Sequence, residues 1–384
     1  MAPTLETYFT PAFIESVMQQ RYPAKSIAVT GVRPFAVDNR ASILVTLTAG
    51  TSTKRMGHFG LQVEWQEDGL LQSRKMVMKM KPHGREISAM LNGLAQACGE
   101  PLASTYPSFA ERTGFQHTHG RELEVYRKLS DAILPTIYDC YEDHRNEVYL
   151  ILMEYLEEVT LLNSVMEVHR WTDTHIKTAL AQLAQWHARY LLEPPALDAQ
   201  YWSDTQQPDY FQQLSPLWEA LLTNAQRQLP TLYTAPRAHR LAQAIAAIPR
   251  YQAELQEMPT TLVHNDLNPR NTCFRGDQFC AYDWELATFH VPQYDVVELL
   301  CFVLDHDRYA QRETYLEYYR AQLHQHVPIF SDQAAFKHGF QLAALDFGLH
   351  RLGLYSMAHC VSPYPFLPRV INSYFDTIQD IDLP

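Results

Sequence analysis

The sequence predicts an α+β chain of two lobes, an antiparallel-sheet lobe over residues 1–157 and a larger, mainly helical lobe over 158–384. Three observations carry this. Between Ile27 and Met80, β-branched or alternating apolar runs are separated by turn-forming DN, TST and EDG stretches, the period-two pattern of strands. Beyond Glu158 the apolar period becomes helical and stays so almost to the end. A length of 384 residues exceeds one average domain and suits two or three cooperating units. With 46% hydrophobic and 19% charged residues the chain can bury a sizeable core, and no repeat or low-complexity tract interrupts it.

In order, PAFIESVMQQRY reads as a short helix. SIAVTGVRPFAV, ASILVTLTAG, HFGLQVEWQE and KMVMKMK read as strands of one small sheet. From Arg85 to Gln96 and from Gly120 to Asp131 the period is helical, so a helical insertion is expected at about 83–120. EVYLILMEYLEE reads as a further strand, buried in its middle. Thr172-Asp173 can cap DTHIKTALAQLAQWHARYLL, a helix that stops before Glu193-Pro194-Pro195. The segment at about 194–255 reads as broken helices rich in aromatics, among them Tyr201, Trp202, Tyr210 and Trp218. Short strands return only at TLV, TCF and FCAYD, and helices run from Val296 to the end.

Composition excludes several function classes. No window approaches 18 uncharged apolar residues, and MAPTLETYFT lacks a basic and an apolar leader region, so a cytoplasmic protein with no membrane partner is expected. The six cysteines have no CxxC spacing, which favours reduced thiols over a disulfide or zinc framework. A net charge of −12 disfavours nucleic acid while remaining compatible with a local basic pocket for a small anion. Oligomeric state is not legible.

The chemistry concentrates in HNDLNPRN, His264 to Asn271, between the apolar runs TLV and TCF. A strand, a tight polar loop and another strand let Asp266 and Asn271 converge on one point. A carboxylate can accept a proton, and a carboxamide oxygen can hold a cation. Twelve residues after Asn271, FCAYD delivers Asp283 at the end of a strand. Asn plus Asp supply hard oxygen ligands with positions left open, which suits Mg²⁺. Phosphoryl transfer needs little more than that cation, an oriented hydroxyl and a cationic clamp.

HNDLNPRN resembles the catalytic loop of the protein-kinase-like fold, H-R-D-L-K-P-E-N in protein kinases, agreeing at His264, Asp266, Leu267, Pro269 and Asn271. YDWELATFHVPQYDVVELL is similar to the metal-binding strand end of the aminoglycoside phosphotransferase and choline kinase relatives, with Asp283 and Asp295 in the two acidic places. The resemblance implies a bilobal fold in which 1–157 binds nucleotide, 158–384 carries catalysis, and the helical segment at about 194–255 binds the acceptor. It implies a lysine at the end of the third strand facing a glutamate on the next helix. KMVMKMKP offers Lys79, with Lys81 as a rival on the same strand face. RELEVYRKL offers Glu122, with Glu86 as the alternative if the insertion forms the facing helix. Main-chain groups near Glu154 to Leu156 fall where adenine binds, and the glycine-free FAVDNRAS leaves Ser42 and backbone amides as phosphate donors. Asp266 would align the acceptor hydroxyl and take its proton late in transfer. His264 would brace the loop, Arg270 would face the acceptor or phosphates or else be a solvated loop arginine, and Asp295 would anchor the loop through its amides. Asn271 and Asp283 would hold the metal, Glu285 would add a further acidic oxygen, and His187 reads as a satisfied core histidine.

Asn268 stands where protein kinases commonly carry lysine, and only 11 residues separate Asp283 from Asp295, leaving no room for a long activation segment. A small hydroxyl-bearing acceptor is therefore expected over a protein. The acidic composition favours a cationic acceptor, while Tyr201, Trp202, Tyr210 and Trp218 could hold choline by cation–π contact or an apolar natural product by burial. The reading is an ATP- and Mg²⁺-dependent small-molecule kinase. A catalytically silent nucleotide- or partner-binding protein and a nucleotidyl transferase on the same fold are its alternatives.

Overall fold

The computed structural model describes residues 5–37, 56–205 and 209–382. Ser42, the loop containing it and the strand expected over ASILVTLTAG lie outside the described residues. Helix α1 (Pro11–Arg21) starts on a proline, whose missing N–H is no loss at a first helical position, and Thr10 Oγ1 accepts from Phe13 N at 3.3 Å as its cap. Strands β1 (Ile27–Phe35), β2 (Gly57–Glu67), β3 (Leu70–Lys81), β4 (Ile137–Asp143) and β5 (Val148–Glu154) form one antiparallel sheet in the order β1-β2-β3-β5-β4. β2 turns into β3 at Asp68-Gly69, both with positive φ (50° and 83°), the twist-matched hairpin geometry. β4 is absent from the sequence-based expectation. Its register shifts between Ile137 and Asp139, so its side chains do not alternate cleanly between faces.

Between β3 and β4 lie α2 (Gly84–Cys98) and α3 (Thr118–Lys128). α2 buries Ile87, Leu91, Leu94, Ala95 and Cys98, an apolar stripe at helical spacing. His83 and Glu86 close a capping box at its start, where Glu86 Oε2 accepts from His83 N at 2.9 Å. That placement removes Glu86 as the alternative partner of the β3 lysine. α3 is buried from Thr118 to Tyr126 and carries Glu122.

The remainder is mainly helical. Its helices are α4 (Asp173–Leu192), α5 (Ser215–Gln228), α6 (Ala235–Ala246) and α7 (Ile248–Gln256), then α8 (Gln293–Val303), α9 (Arg312–His326), α10 (Gln333–Phe347), α11 (Gly353–Val361) and α12 (Leu367–Ile378). Thr172 caps α4 as expected, accepting from His175 N at 3.3 Å. Two short hairpin-like pairs interrupt the helices: β6 (Thr261–Val263) with β9 (Thr288–His290), and β7 (Thr272–Arg275) with β8 (Gln278–Ala281). A π-helical turn, Gly348–Leu352, joins α10 to α11. Two apolar clusters fill the interior. β5 serves both, sending Leu150 and Leu152 toward α1 and Tyr149, Ile151 and Met153 into the large core shared with the helices.

Candidate active site

The period of two places Lys79 and Lys81 on one face of β3, opposite Ile151 and Tyr149 of β5. α3 sets the fully buried Glu122 against them. Lys79 Nζ lies 2.8 Å from both Glu122 oxygens and 2.6 Å from Asp283 Oδ1. Lys81 Nζ bonds the same Glu122 and reaches Glu285 Oε2 at 2.7 Å. Two ammonium groups thus face three carboxylates. Burial pulls the Lys79 ammonium down, but Asp283 and Glu122 more than offset it and hold it above the usual lysine range. Asp283 shows the converse: burial raises it, and Lys79 and Lys81 hold it well below the usual carboxylate range. Glu285 is pushed up by burial and by Asp283, against the pull of Lys81. Asp283 also sits at φ 67°, a left-handed conformation that costs a non-glycine residue energy, and its N–H is held by Tyr126 Oη at 3.1 Å.

The HNDLNPRN loop is suspended from α8. Asp295 accepts from His264 N at 2.7 Å and Asn265 N at 3.0 Å, which holds Asn265 at φ 59°. His187 Nε2 lies 3.2 Å from the same carboxylate and its Nδ1 2.6 Å from Tyr319 Oη. One turn along α8, Glu298 accepts from Leu267 N at 3.1 Å and Asn268 Nδ2 at 3.2 Å. His264 is fully buried, with Nε2 2.9 Å from the Tyr282 carbonyl and its ring against Trp284. It braces the loop and touches no part of the cavity.

Asp266 projects from the same loop. Its Oδ1 accepts from Arg351 Nη2 at 2.6 Å and from Tyr355 Oη, and its Oδ2 accepts from Asn271 Nδ2 at 2.7 Å. Burial alone would raise its pKa; Arg351 and Arg270 hold it below the usual carboxylate range, so it is ionised at neutral pH. With Asn271 Nδ2 committed to Asp266, the Asn271 Oδ1 is left for a cation. Tyr282 N donates to the Asn271 carbonyl at 2.9 Å and so fixes the neighbouring Asp283 beside the loop. An amide oxygen next to carboxylates is a donor set that fits a hard divalent cation, and oxygens of Glu122, Asp283 and Glu285 lie within 4.8 Å of one another.

These groups line one cavity of about 460 Å³, ligand-sized by the usual measure. At one end Val37, Val77, Met153 and Leu162 make apolar walls beside Glu154 to Leu156. The Glu154 carboxylate is engaged by Arg275 at 2.7 Å and Thr136 N at 2.6 Å, whereas the Leu156 amide has no partner among the described residues. At the other end stand Arg270, Arg351, Tyr355 and Tyr364, with Leu354 and Ala358. Of these only Arg270 is anticipated from sequence. Arg351 and Tyr355 were missed: two polar groups four apart within the apolar run FGLHRLGLYSM mark one helix face, which does not by itself point to a site.

The aromatics expected at the acceptor end do not line this cavity. Trp202 and Trp218 are 1% exposed, and their indole N–H groups donate to Ala287 O at 2.8 Å and Phe211 O at 2.9 Å. Tyr201 packs onto Gly120, and Tyr210 donates to Arg112 O at 2.5 Å while bordering a separate cavity with Asn265 and His290. Trp202 and Trp218 are core residues, their indole N–H groups satisfied by backbone carbonyls and their rings filling the interior, while Tyr201 and Tyr210 are half-buried.

No curated protein matches the chain. Among solved structures, similarity extends to a choline kinase from Cryptosporidium parvum, at 11% identity, TM-score 0.48 and 91% coverage of this chain and 88% of that one. It extends also to an aminopropanol kinase associated with a microcompartment, at 14% identity, TM-score 0.45 and coverages of 85% and 88%. A thermostable mutant of aminoglycoside phosphotransferase APH(4)-Ia, solved with ADP and hygromycin B, gives 13% identity, TM-score 0.41 and coverages of 94% and 98%. The model of the phosphotransferase enzyme family matches residues 110–329, more than half of the chain and the part that holds Glu122, the HNDLNPRN loop, Asp283 and Asp295. This protein belongs to that phosphotransferase enzyme family.

Proposed function

We propose that the chain transfers the γ-phosphoryl group of ATP to a hydroxyl of a small molecule, with Mg²⁺ as its metal. The supporting observation is that Lys79, Glu122 and Asp283 share one cavity with Asp266 and Asn271, although the five come from four separate segments of the chain. Adenine lies between Val77, Met153 and Leu162 and meets the Leu156 amide. Lys79, released in part from Asp283 when the nucleotide enters, clamps the phosphates. Asn271 and Asp283 hold Mg²⁺, which neutralises phosphate charge when bound. The Asp266 carboxylate orients the acceptor hydroxyl. Its oxygen bonds to the γ-phosphorus as the bond to the β–γ bridging oxygen breaks, ADP leaves, and the hydroxyl proton passes to Asp266 late in the step. An acceptor the size of a peptide segment is disfavoured by the short connection between Asp283 and Asp295.

The test is Asp266→Asn, assayed with a panel of hydroxylated compounds and read by mass spectrometry. Nucleotide binding is expected to persist while transfer falls by on the order of 10³-fold or more. Products of the unaltered chain should gain one phosphoryl unit. Gain of a nucleoside monophosphate would establish nucleotidyl transfer instead, and nucleotide binding without any product would establish a silent binder.

A further inference from the structure

We propose that the acceptor is an acid: a hydroxyl compound carrying an oxyanion, carboxylate or phosphate, a few bonds from the reacting hydroxyl, on an apolar body. The proposal rests on the phosphotransfer reading above and names the substrate class of the same site. Its starting point is the charge beside Asp266. At that end of the cavity, the charged lining side chains among the described residues are Asp266, Arg270 and Arg351, two guanidinium groups to one carboxylate. The nearest further acid, Glu298, lies behind the loop with its carboxylate turned to Leu267 N and Asn268 Nδ2. Burial and the neighbouring Asp266 push its pKa up to about 8, so it adds little negative charge at neutral pH. This end of the pocket is therefore cationic within a chain of net charge −12.

Both arginines are held rigidly and have donors to spare. Arg351 is 5% exposed; its Nη2 serves Asp266 and Tyr355, and its buried Nε has no partner among the described residues. No hydrogen bond among the described residues engages Nη1 of Arg351 or of Arg270, and these are the donors left for a ligand oxyanion. Arg270 lies between the rings of Tyr355 and Phe366, 5.4 Å from each centroid, with Nε on Asn268 Oδ1 and Nη2 on Tyr355 Oη. Two fixed planar forks adjoining the hydroxyl-orienting carboxylate match the geometry of an oxyanion. An ammonium acceptor would have to be desolvated against them. Beyond the arginines the walls are uncharged: Ile87, Met90, Leu91 and Leu94 from α2 face Leu354 and Ala358 from α11, a slot for a hydrocarbon body.

The alternative use of these arginines, stabilising the transferred phosphoryl group, predicts something different and the test separates the two. Binding to the full chain is measured by calorimetry for 3-hydroxydecanoate, its methyl ester and 3-hydroxydecylamine, with a non-hydrolysable ATP analogue and Mg²⁺ present. The acid is expected to bind at least about ten-fold more tightly than the ester, and the amine more weakly than either. Arg351→Met and, separately, Arg270→Met should abolish that preference, with nucleotide affinity changed less than about two-fold; Arg351→Lys should restore part of it. Ester or amine binding as tightly as the acid overturns the proposal, as does an acid that fails to bind at millimolar concentration. A loss of nucleotide affinity in both methionine variants with the acid preference intact overturns it too and assigns the arginines to the phosphates. Failure of the phosphotransfer reading shows elsewhere, as absence of Mg²⁺-dependent nucleotide binding to the unaltered chain, and leaves the acid preference measurable.

Discussion

Lys79 and Lys81 stand two residues apart on one strand face and share Glu122, yet only Lys79 touches Asp283. Sequence alone cannot separate them, because a period of two gives both the same face. Their partners do. Lys79→Met removes the cation beside the proposed phosphate site, and kcat/KM for ATP should fall by on the order of 10²–10³-fold, the loss typical for one electrostatic contact to reacting groups. Lys81→Met leaves the buried Glu122 and the half-buried Glu285 with one cation fewer, and should cost about 3–5 kcal/mol in chemical denaturation. A stable Lys81 variant would show that Lys79 alone compensates the three carboxylates. Glu298 offers a pH test. Its folded pKa of about 8 lies above the unfolded value, so between roughly pH 5 and 8 the folded chain keeps a proton that the unfolded chain has released. Stability from this group is thus highest in acid and declines as pH rises through that window. Glu298→Gln should flatten this part of the stability curve and gain on the unaltered chain above pH 8; an unchanged slope would assign the titration elsewhere. The residues of the loop were legible because eight contiguous positions carry the pattern. Arg351 and Tyr355 were not, since they reach Asp266 from 85 and 89 positions away and, in sequence, look like any polar residue on a helix.

Elements were legible wherever burial was one-sided. β2 alternates through its middle, β3 ends in the mostly buried run Met76–Lys81, α2 and α4 keep a helical stripe, and each was expected within about five residues of where it lies. β4 failed because a register shift breaks its alternation, and β9 because three residues carry too little pattern. The aromatic segment misled for another reason: an aromatic cluster has the same composition whether it lines a pocket or fills a core, and only the hydrogen bonds of its polar tips tell them apart. α2 matters most at this scale, since its Ile87, Met90, Leu91 and Leu94 supply one wall of the cavity. Its position depends on Gly84, where an added Cβ would stand 2.0 Å from the Gln116 carbonyl oxygen, a backbone atom that cannot swing aside. Gly84→Ala should therefore cost about 1–3 kcal/mol and displace the start of the helix. Gly93, exposed in the middle of the same helix with nothing within 4 Å of the added carbon, is the control. Gly93→Ala should stabilise by about 0.5–1 kcal/mol through helix propensity. Equal effects of the two substitutions in urea denaturation would remove Gly84 as a packing determinant.

The boundary expected near residue 157 divides the chain by composition, and the interior does not follow it. Leu91, Leu94, Leu123 and Tyr126 from the first lobe belong to the same apolar cluster as Trp171, Trp186 and Trp284 from the second. β5 then ties that cluster to the one beneath α1, so neither can open without disturbing a strand that serves both. A polar tie reinforces the junction. Arg121, 1% exposed on α3, donates to Asp204 Oδ1 at 2.6 Å, Tyr201 O at 2.9 Å and Gly114 O at 2.9 Å, and its neighbour is the lysine partner Glu122. Such an arginine cannot be dispensed with cheaply, because its removal leaves the buried Asp204 carboxylate without its cation, with only Gln116 N among the described residues still donating to it, and takes a donor from two carbonyls. We therefore expect the two lobes to unfold in a single transition. Trp65 lies in the first lobe and Trp171, Trp186, Trp202, Trp218 and Trp284 in the second, so fluorescence weights the second lobe while far-ultraviolet circular dichroism reports helices and sheet together. The two melting curves should coincide. Arg121→Met should shift both to lower temperature by the same amount, a loss of about 3–5 kcal/mol, and raise the KM for ATP because Glu122 loses the rigid helix that aims it. If the fluorescence transition instead stays in place while the dichroism curve divides, the lobes fold separately, and the aim of Glu122 at Lys79 must be set within the first lobe alone.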